Sequence, residues 1–350
     1  MPAVPTDSLV LLTGASGYLA VHVLKQLLER GFRVRGTVRS QDKGDYLKQL
    51  LAKDGLDSRF EVAIVEDVEK PGAFDEAVKG VDAVVHTASP FHFNVTKADE
   101  LIGPAVQGTL SALQAAKKEP KVKRVVITAS FACIVEPKEP VYTFTERDWN
   151  EFSPNEVKTK GDKADPSQMY RASKTLAERA AWDFVDKEKP SFDITTIQPP
   201  LIFGPVLHDV KKPDSLNTSV NNFYQYLEGK KSADDAQGGF GSFVDVRDVA
   251  HLHVESLVKE EAGNERFLVA TADSSYQPLL DLFFEHAPSS LKDAFPSAEK
   301  GRPGQAKPKQ NVIDTAKARK TFGWQPKDAK DTVIDMAQSL AEYKQQWEKA

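Results

Sequence analysis

The sequence predicts an α/β protein with a doubly wound parallel sheet and a smaller, mixed C-terminal lobe. Short apolar runs rich in valine and isoleucine recur between helical patterns, which is typical of parallel βα units covered on both faces. A glycine-bearing turn, Thr13 to Gly17, directly follows the first of these runs. The chain of 350 residues is long enough for roughly two domains, or for one large α/β unit with an added lobe.

The predicted strands of the sheet are six short runs, at residues 9–12, 32–38, 60–65, 83–86, 125–129 and 194–197. Apolar or small side chains recur with helical spacing from Ala20 to Leu28, and Gly31 follows them as a C-cap. Further helices are predicted at residues 105–118, around Tyr170 and at residues 331–347. We interpret the polar, proline-bearing residues 136–168 as a loop.

The regular alternation ends after residue 198, where prolines and the Gly238-Gly239 pair mark irregular connections. We predict that residues 1–198 form the main domain. Residues 243–270 return to it through a strand near Phe267. Residues 199–242 and 271–350 form the predicted substrate-binding lobe.

Composition and charge exclude several classes of partner. Lys and Arg total 46 against 51 Asp and Glu, so the net charge of −5 offers no broad basic surface for nucleic acid or anionic membranes. No apolar run approaches the length of a membrane span, and the first residues lack a signal-peptide pattern. The lone Cys133 excludes an internal disulfide and favours a reducing compartment, so we predict a cytoplasmic protein.

The glycine-bearing turn predicts a dinucleotide site of the Rossmann type. Gly14 permits the tight turn after a buried strand, and Gly17 lets the backbone approach a pyrophosphate resting on the N–H groups of the next helix. Ala20 stands in place of a third glycine, where a methyl group is the smallest intrusion on helix-to-strand packing. The predicted cofactor contacts of this turn are Gly14, Ser16, Gly17, Tyr18 and Leu19.

The end of the second predicted strand indicates which dinucleotide binds. An NAD site usually has an acid there that accepts from the ribose 2′-hydroxyl, but this chain has Arg39. A guanidinium suits a 2′-phosphate through paired, charge-assisted hydrogen bonds. We therefore predict NADPH, with Arg39 as the principal anchor, Ser40 as a hydroxyl donor and Lys43 as a nearby charge.

Three further residues predict carbonyl reduction. Reduction by hydride creates an alkoxide that needs a proton, and the Tyr170 hydroxyl can supply it. Lys174 follows one helical turn later, so we expect its ammonium to favour the phenolate and to bond the nicotinamide ribose. Ser130, at a strand's carboxyl end, would hold the carbonyl oxygen.

The Tyr–Lys spacing alone decides nothing, because Tyr226 and Lys230 have it too. The difference is context: an apolar strand ending in Ser130 precedes Tyr170, whereas Tyr226 lies in a polar stretch without such a partner. We interpret Tyr226 as part of a surface helix.

Together these residues resemble the extended short-chain dehydrogenase/reductases, and within them the fungal NADPH-dependent aldehyde and ketone reductases. The resemblance spans nearly the whole chain, and it includes the glycine motif, residues 34–39, 66–68 and 86–90, Ser130, Tyr170 with Lys174, and residues 243–250. It implies further cofactor contacts: Asp67 and Val68 at the adenine, Thr87, Ala88 and Ser89 along the cofactor path, and Pro199 and Leu201 near the nicotinamide.

Two departures from the family pattern matter. Gln107 stands where the family often has an asparagine, which leaves a proton-relay role at this position open. The residues around Tyr170 also lack the Asn-Trp-Tyr-Cys signature of cinnamoyl-CoA reductases, which disfavours a CoA thioester substrate.

Several other residues are candidates for a role in the site. Phe91, Phe93 and Phe131 follow strand ends and are predicted to form an apolar substrate wall, with ordinary packing as the alternative. Cys133 lacks an activating base and is predicted to fill the core. Two histidines, at 251 and 253, have the wrong spacing for one helix face, so we predict no metal site.

The sequence-based hypothesis is an NADPH-dependent reductase that converts small aldehydes or ketones to alcohols, acting as a monomer or homodimer. One alternative is a sugar-nucleotide epimerase or dehydratase that holds NAD(P) tightly, against which Arg39 argues. The other is a non-catalytic dinucleotide sensor. A sensor would not need a proton donor, so the complete set of Ser130, Tyr170 and Lys174 argues against it.

Overall fold

The computed structural model describes residues 4–88, 97–139, 141–305 and 311–349, with the backbone alone at residues 239–240 and 272–274. Its strands in chain order are β1 (Leu9–Thr13), β2 (Arg33–Val38), β3 (Phe60–Ile64), β4 (Ala83–His86), β5 (Arg124–Thr128), β6 (Thr143–Phe144), β7 (Asp193–Gln198), β8 (Leu201–Phe203), β9 (Gly239–Asp245), β10 (Glu265–Leu268), β11 (Ala272–Ser275) and β12 (Val312–Ile313). Its α-helices are α1 (Tyr18–Glu29), α2 (Gln41–Ala52), α3 (Asp99–Lys118), α4 (Phe152–Lys160), α5 (Pro166–Glu188), α6 (Thr218–Leu227), α7 (Val246–Val258), α8 (Tyr276–His286), α9 (Ser289–Ala294), α10 (Ala316–Phe322) and α11 (Ala329–Trp347).

Seven parallel strands form the central sheet in the order β3-β2-β1-β4-β5-β7-β10. The strand order reverses between β1 and β4, and in such sheets the ligand crevice opens at the carboxyl ends of the strands at this point. The doubly wound prediction is confirmed, and each of the six predicted strands is present. The return strand predicted near Phe267 is β10, which pairs with β7 at the edge of the sheet.

Alternate side chains of β1 enter two different cores, which explains why the whole strand is apolar. Val10 and Leu12 pack into a cluster with buried residues of α1 and α7. Leu9 and Leu11 pack into a second cluster with residues of α3 and α5. Because both faces of the sheet are covered by helices, the carboxyl ends of the strands are left as the place for a binding site.

Smaller sheets lie outside the central one. Strand β9 pairs in parallel with β8 and antiparallel with β11, and β6 pairs in parallel with β12. Helix α11 is present as predicted, and it buries Val333, Met336 and Leu340. The domain boundaries at residues 198, 242 and 270 stay a prediction; β9 belongs to the three-stranded sheet, whereas β10 belongs to the central one.

The prediction of a loop at residues 136–168 is wrong, because this segment contains β6, α4 and the first turn of α5. Near the start of α4, Asn150 Oδ1 accepts from Ser153 N at 2.9 Å, and the Ser153 hydroxyl donates to Gln168 Oε1 at 2.7 Å. These side-chain bonds and the packing of α4 on α5 stabilise a helix that has only a weak apolar stripe. Hydrophobic periodicity therefore could not reveal it.

Two other local predictions are also wrong. Tyr226 is not on a surface helix: its ring is buried, with its centroid 4.9 Å from that of Tyr276. Packing against Tyr276, rather than the polar residues on either side, determines that Tyr226 is buried.

Helix α3 begins at Asp99 rather than at residue 105, and it contains Pro104. Packing against α5 offsets the single backbone hydrogen bond that a proline lacks.

Candidate active site

The turn between β1 and α1 has the geometry of a phosphate-binding loop. Gly14 has φ of 66°, and a Cβ added there would lie 3.1 Å from Ala88 Cα, so both conformation and space favour glycine. Its N–H donates to Thr37 Oγ1 at 3.0 Å, and Ala15 N donates to Thr37 O at 2.8 Å. The neighbouring strand β2 therefore holds this turn in place.

The N-terminus of α1 can receive an anion. Gly17 is its N-cap, no side chain caps the helix, and no acidic residue stands in its first turn. Ser16 is partly exposed and Gly17 is exposed, so a pyrophosphate fits against the unpaired N–H groups and the positive end of the helix dipole. Ala20 is buried, as expected of a residue that packs the helix on the sheet.

Tyr18 and Leu19 contribute little side chain to this surface. Both are buried, and the Tyr18 hydroxyl donates to Gly204 O at 2.9 Å. The Tyr18 ring packs edge-on against His22 and His208. We therefore expect cofactor contacts at these two positions to come from the main chain.

The residues predicted to bind a 2′-phosphate lie together at the end of β2 and the start of α2. Arg39 is exposed, and within the described part of the chain its side chain has no hydrogen bond or ion pair. The Ser40 side chain hydrogen-bonds Asp42 and lowers the pKa of that carboxyl group. Lys43 is not a free charge, because its Nζ lies 3.0 Å from Asp209 Oδ2.

Asp67 and Val68 follow β3. Asp67 Oδ1 accepts from Glu69 N at 2.9 Å, which closes a small turn. Val68 lies beside α3, where a Cβ added to Gly108 would be 3.7 Å from Val68 Cγ2. Both residues are partly exposed, so their predicted contacts with adenine remain sterically open.

A buried hydrogen-bond network joins the ends of β1 and β4. Thr13 Oγ1 accepts from Thr87 N and Ala88 N, each at 3.1 Å, so its own proton goes to His86 Nδ1 at 2.9 Å. His86 then carries its proton on Nε2, and burial lowers its pKa to about 4. This network fixes Thr87 and Ala88 beside Gly14. Ser89, Phe91 and Phe93 lie outside the described residues.

Ser130, Tyr170 and Lys174 come together at the carboxyl ends of β5 and β7. Ser130 follows β5, and its Oγ accepts from Ala132 N at 3.1 Å. Tyr170 and Lys174 are one turn apart on α5, with Lys174 Nζ 5.8 Å from the centre of the Tyr170 ring. A hydrogen bond between the Ser130 and Tyr170 side chains joins the two elements.

The protonation of this group differs from the sequence-based expectation. Burial raises the pKa of Tyr170 to about 12, and the hydrogen bond with Ser130 opposes only part of this rise. Burial also lowers the pKa of Lys174 to about 8. We expected the ammonium to favour the phenolate, but desolvation is the larger effect, so the protein itself keeps Tyr170 protonated at neutral pH.

The wall beyond the catalytic group is built from two neighbouring segments. Phe131 N donates to Pro199 O at 2.9 Å, which joins the residue after Ser130 to the residue after β7. The half-buried Phe131 ring packs against the cluster of Ile134, Phe144 and Leu268. Leu201 is partly exposed at the start of β8. The substrate contact of Phe131 stays a prediction.

Three other predictions can be compared with the structure. The Gln107 side chain is exposed on α3, and its part in proton transfer stays open. Cys133 is fully buried, as predicted for a core residue, and burial raises the pKa of its thiol. His253 is buried, with Nε2 2.7 Å from Thr128 Oγ1 and Nδ1 2.8 Å from Val249 O, whereas His251 is exposed.

Two acids near the site were not predicted from the sequence. Glu178 lies one turn beyond Lys174 on α5, and its i, i+4 spacing could have placed it on the same face. Asp209 binds Lys43 from a distant segment, and no local sequence pattern predicts that contact.

Among the described residues there is no cluster of three or more potential metal ligands, and no helix there could cross a membrane.

Comparison with known proteins supports the resemblance. Residues 10–270 match the model of the NAD dependent epimerase/dehydratase family. The chain belongs to this family. A putative NADPH-dependent methylglyoxal reductase of Candida albicans, GRP2, is 39% identical over 342 residues, which cover 94% of this chain and 97% of that protein. Aldehyde reductase 2 of Sporidiobolus salmonicolor is 36% identical, over 89% of this chain and 95% of that one.

Solved structures of this family agree with the fold. The yeast methylglyoxal/isovaleraldehyde reductase Gre2, complexed with NADPH, matches with a TM-score of 0.85 and 30% identity, covering 96% of this chain and 99% of that chain. The complex of Candida albicans Gre2 with NADPH has the same TM-score and 35% identity, covering 97% and 99%. The extended short-chain dehydrogenase/reductase prediction is confirmed.

Proposed function

We propose that this chain is an NADPH-dependent reductase that converts small aldehydes or ketones to alcohols. The observation that carries the proposal is the group of Ser130, Tyr170 and Lys174, joined by the Ser130–Tyr170 hydrogen bond at the carboxyl ends of β5 and β7. The relatives named as methylglyoxal and aldehyde reductases support the same reaction. A compound with one accessible carbonyl group is the class of substrate that this group fits.

The residues suit the reducing direction. Bound NADPH supplies the hydride that reduces the carbonyl carbon. Tyr170 holds a proton at neutral pH and can give it to the carbonyl oxygen, while the Ser130 hydroxyl binds that oxygen. Lys174 is charged below pH 8 and stabilises the negative charge that remains on Tyr170. The carbonyl group thus gains one hydride and one proton.

Arg39 supports NADPH over NADH. Its exposed guanidinium stands at the end of β2, where the adenosine ribose lies in Rossmann-type sites. A 2′-phosphate can pair with this group, whereas no carboxylate occupies the position to accept from a 2′-hydroxyl. The Gre2 structures solved with NADPH agree with this assignment.

Removal of the phenol hydroxyl tests the reaction. In Tyr170→Phe we expect turnover to fall by roughly a thousand-fold, since a positioned acid contributes about 10²–10⁴ in rate. The Kd for NADPH should stay within about two-fold, because the ring remains. Tyr226→Phe is the matched control, as Tyr226 is also buried and has a lysine four residues later. Full turnover in Tyr170→Phe would remove Tyr170 as the proton donor.

Charge reversal at Arg39 tests the cofactor. In Arg39→Asp we expect kcat/KM with NADPH to fall by roughly a hundred-fold, because a charge-assisted bond is lost and repulsion is added. Activity with NADH should change by less than about three-fold. Arg33→Asp, at the other end of β2, is the control. An unchanged preference for NADPH would place the phosphate elsewhere.

Stoichiometry separates the reductase from the epimerase or dehydratase alternative. A reductase consumes one NADPH for each alcohol formed, whereas an epimerase regenerates its dinucleotide within each turnover. Measured loss of NADPH absorbance with a panel of small carbonyl compounds therefore distinguishes the two.

We also propose a cytoplasmic location, in line with the single, buried Cys133, and keep both monomer and homodimer as possible assemblies.

A further inference from the structure

Glu178 is a buried carboxylate just behind the catalytic group. It lies one turn beyond Lys174 on α5 and is 2% exposed. Its Oε1 accepts from Thr196 Oγ1 at 2.9 Å and from Gln198 Nε2 at 2.6 Å. Arg266 also binds this carboxylate, with Nε 2.9 Å from Oε1 and Nη2 3.2 Å from Oε2. The helix that carries Tyr170 is thus tied to β7 and β10.

The hydrogen bond between Glu178 and Gln198 connects α5 to the wall of the active site. Gln198 is the last residue of β7, and Pro199 follows it directly. Pro199 O accepts from Phe131 N at 2.9 Å, and Phe131 follows Ser130. Cys133 ends the 3₁₀ turn Phe131–Cys133 that follows Ser130, and it also interacts with Glu178. A shift at Glu178 would therefore move Ser130 and Pro199 relative to α5.

The orientation of Gln198 is set by this carboxylate. Its amide nitrogen donates both to Glu178 and, at 2.7 Å, to Thr196 Oγ1. Its Oε1 is buried and has no hydrogen-bond partner among the residues described. Rotating the amide would put its oxygen against the carboxylate. The side chain therefore keeps the orientation in which Nε2 donates to Glu178, although its own Oε1 is left unpaired.

A second buried ion pair lies at the amino end of β7 and provides an internal comparison. Asp193 begins β7, and its carboxylate binds Arg124 at the start of β5 at 2.6 and 3.0 Å. Both side chains are at most 2% exposed. This pair lies at the amino ends of the strands, away from Ser130 and Tyr170. It is an arginine–carboxylate pair like that of Glu178 on α5 with Arg266 on β10, but it lies at the opposite end of β5 from Ser130.

We propose that Glu178, paired with Arg266 and bonded to Gln198, is a positioning residue for carbonyl reduction. It fixes the end of β7 against α5, and so fixes Ser130 and Pro199 relative to Tyr170 and Lys174. It touches neither substrate nor cofactor. The inference rests on the proposed function of the Ser130–Tyr170–Lys174 group.

The first test compares two single variants that each remove one buried carboxylate charge. Glu178→Gln leaves the mostly buried Arg266, and Asp193→Asn the fully buried Arg124, without a carboxylate partner, so both should lower the melting temperature. Only Glu178→Gln should lower kcat, by about 10- to 100-fold, because a misplacement near 1 Å costs about that much in rate. The NADPH Kd, measured by fluorescence, should change by less than about three-fold in both variants.

A double variant separates positioning from folding. Glu178→Gln with Arg266→Met leaves no lone charge, so the melting temperature should recover most of what the single variant loses. We expect kcat to stay low, because Gln198 no longer has a carboxylate to bind. If the double variant does not fold, Glu178→Asp keeps the charge but withdraws it by one methylene, and kcat should fall about ten-fold.

Two outcomes would overturn the proposal. In one, kcat recovers together with the melting temperature in the double variant, which would make the pair a stabilising element only. In the other, Asp193→Asn lowers kcat as much as Glu178→Gln does. Either result leaves the proposed reaction intact, because that reaction is tested separately by Tyr170→Phe and by the consumption of NADPH.

Discussion

The ammonium of Lys43 lies 3.0 Å from the carboxylate of Asp209, and this contact links the predicted 2′-phosphate site to a segment 166 residues away. Asp209 is mostly buried, and it also binds Lys211 at 3.1 Å. A carboxylate here competes with a phosphate for Lys43 and repels the phosphate directly. The sequence-based prediction gave Lys43 to the cofactor alone, whereas in the structure this side chain pairs with Asp209.

Removing the charge of Asp209 should strengthen NADPH binding. In Asp209→Asn we expect the Kd for NADPH to fall by roughly three- to ten-fold, since relief of one such repulsion is worth about 1 kcal/mol. NADH lacks the phosphate, so its Kd should not change. Fluorescence titration with both nucleotides measures this difference.

Asp54→Asn is the control for the Asp209 variant, because Asp54 is an exposed acid paired with Lys25 at 2.7 Å. It should leave both dissociation constants unchanged. Equal shifts for NADPH and NADH in Asp209→Asn would show that Asp209 acts on the fold rather than on the phosphate.

The pH dependence of the reaction should follow Lys174. Its pKa is lowered to about 8, so the ammonium is complete below that pH and is lost as the pH rises through it. We expect kcat/KM for reduction to be level near neutrality and to fall above pH 8. Tyr170, with a pKa near 12, stays protonated throughout this range.

Lys174→Arg tests the assignment of that decline. A guanidinium stays charged over the whole accessible range, so the decline above pH 8 should disappear, although the altered geometry lowers the rate. Initial rates at saturating NADPH across pH 6 to 10 supply the comparison. A decline of the same shape in both proteins would assign it to another group.

Much of the site could be predicted because local sequence determines it. Gly14 must adopt a positive φ after a buried strand, and Lys174 must follow Tyr170 by one turn on a helix. Such features depend on a few neighbouring residues. The six main strands were likewise visible, since burial on both faces requires continuous apolar runs.

What could not be predicted depends on contacts between distant segments. Helix α4 is stabilised by Asn150 and by packing on α5 rather than by its own apolar stripe. Asp209 reaches Lys43, and Arg266 reaches Glu178, across 166 and 88 positions. The raised pKa of Tyr170 is also a result of burial, which no spacing of residues in the sequence reveals.

Four buried histidines should make the fold sensitive to acid. Burial lowers the pKa of His22, His86, His208 and His253 from 6.5 to about 4. The unfolded chain therefore takes up these protons at a higher pH than the folded protein does. Their contribution to stability is complete above pH 6.5 and is lost as the pH falls towards 4.

One variant measures a single histidine's share of this effect. In His253→Gln the slope of unfolding free energy against pH, between pH 6 and 4.5, should decrease by up to about 1.4 kcal/mol per pH unit. His251→Gln, two residues away and exposed, is the control. Urea unfolding at several pH values provides the data. Equal slopes in both variants would mean that His253 is protonated in the folded state.

The Arg124 side chain should be among the most costly to remove. It is 1% exposed, binds Asp193 through two nitrogens, and donates to the carbonyls of Ser256, Lys259 and Glu260 at the end of α7. Arg124→Met leaves both a buried carboxylate and these carbonyls without their donor, and we expect a loss of about 3–5 kcal/mol in unfolding free energy. Arg124→Met with Asp193→Asn should recover part of that loss, because the lone charge is gone while the uncapped carbonyls remain. Equal losses in the two proteins would show that helix capping, rather than the ion pair, sets the contribution of Arg124.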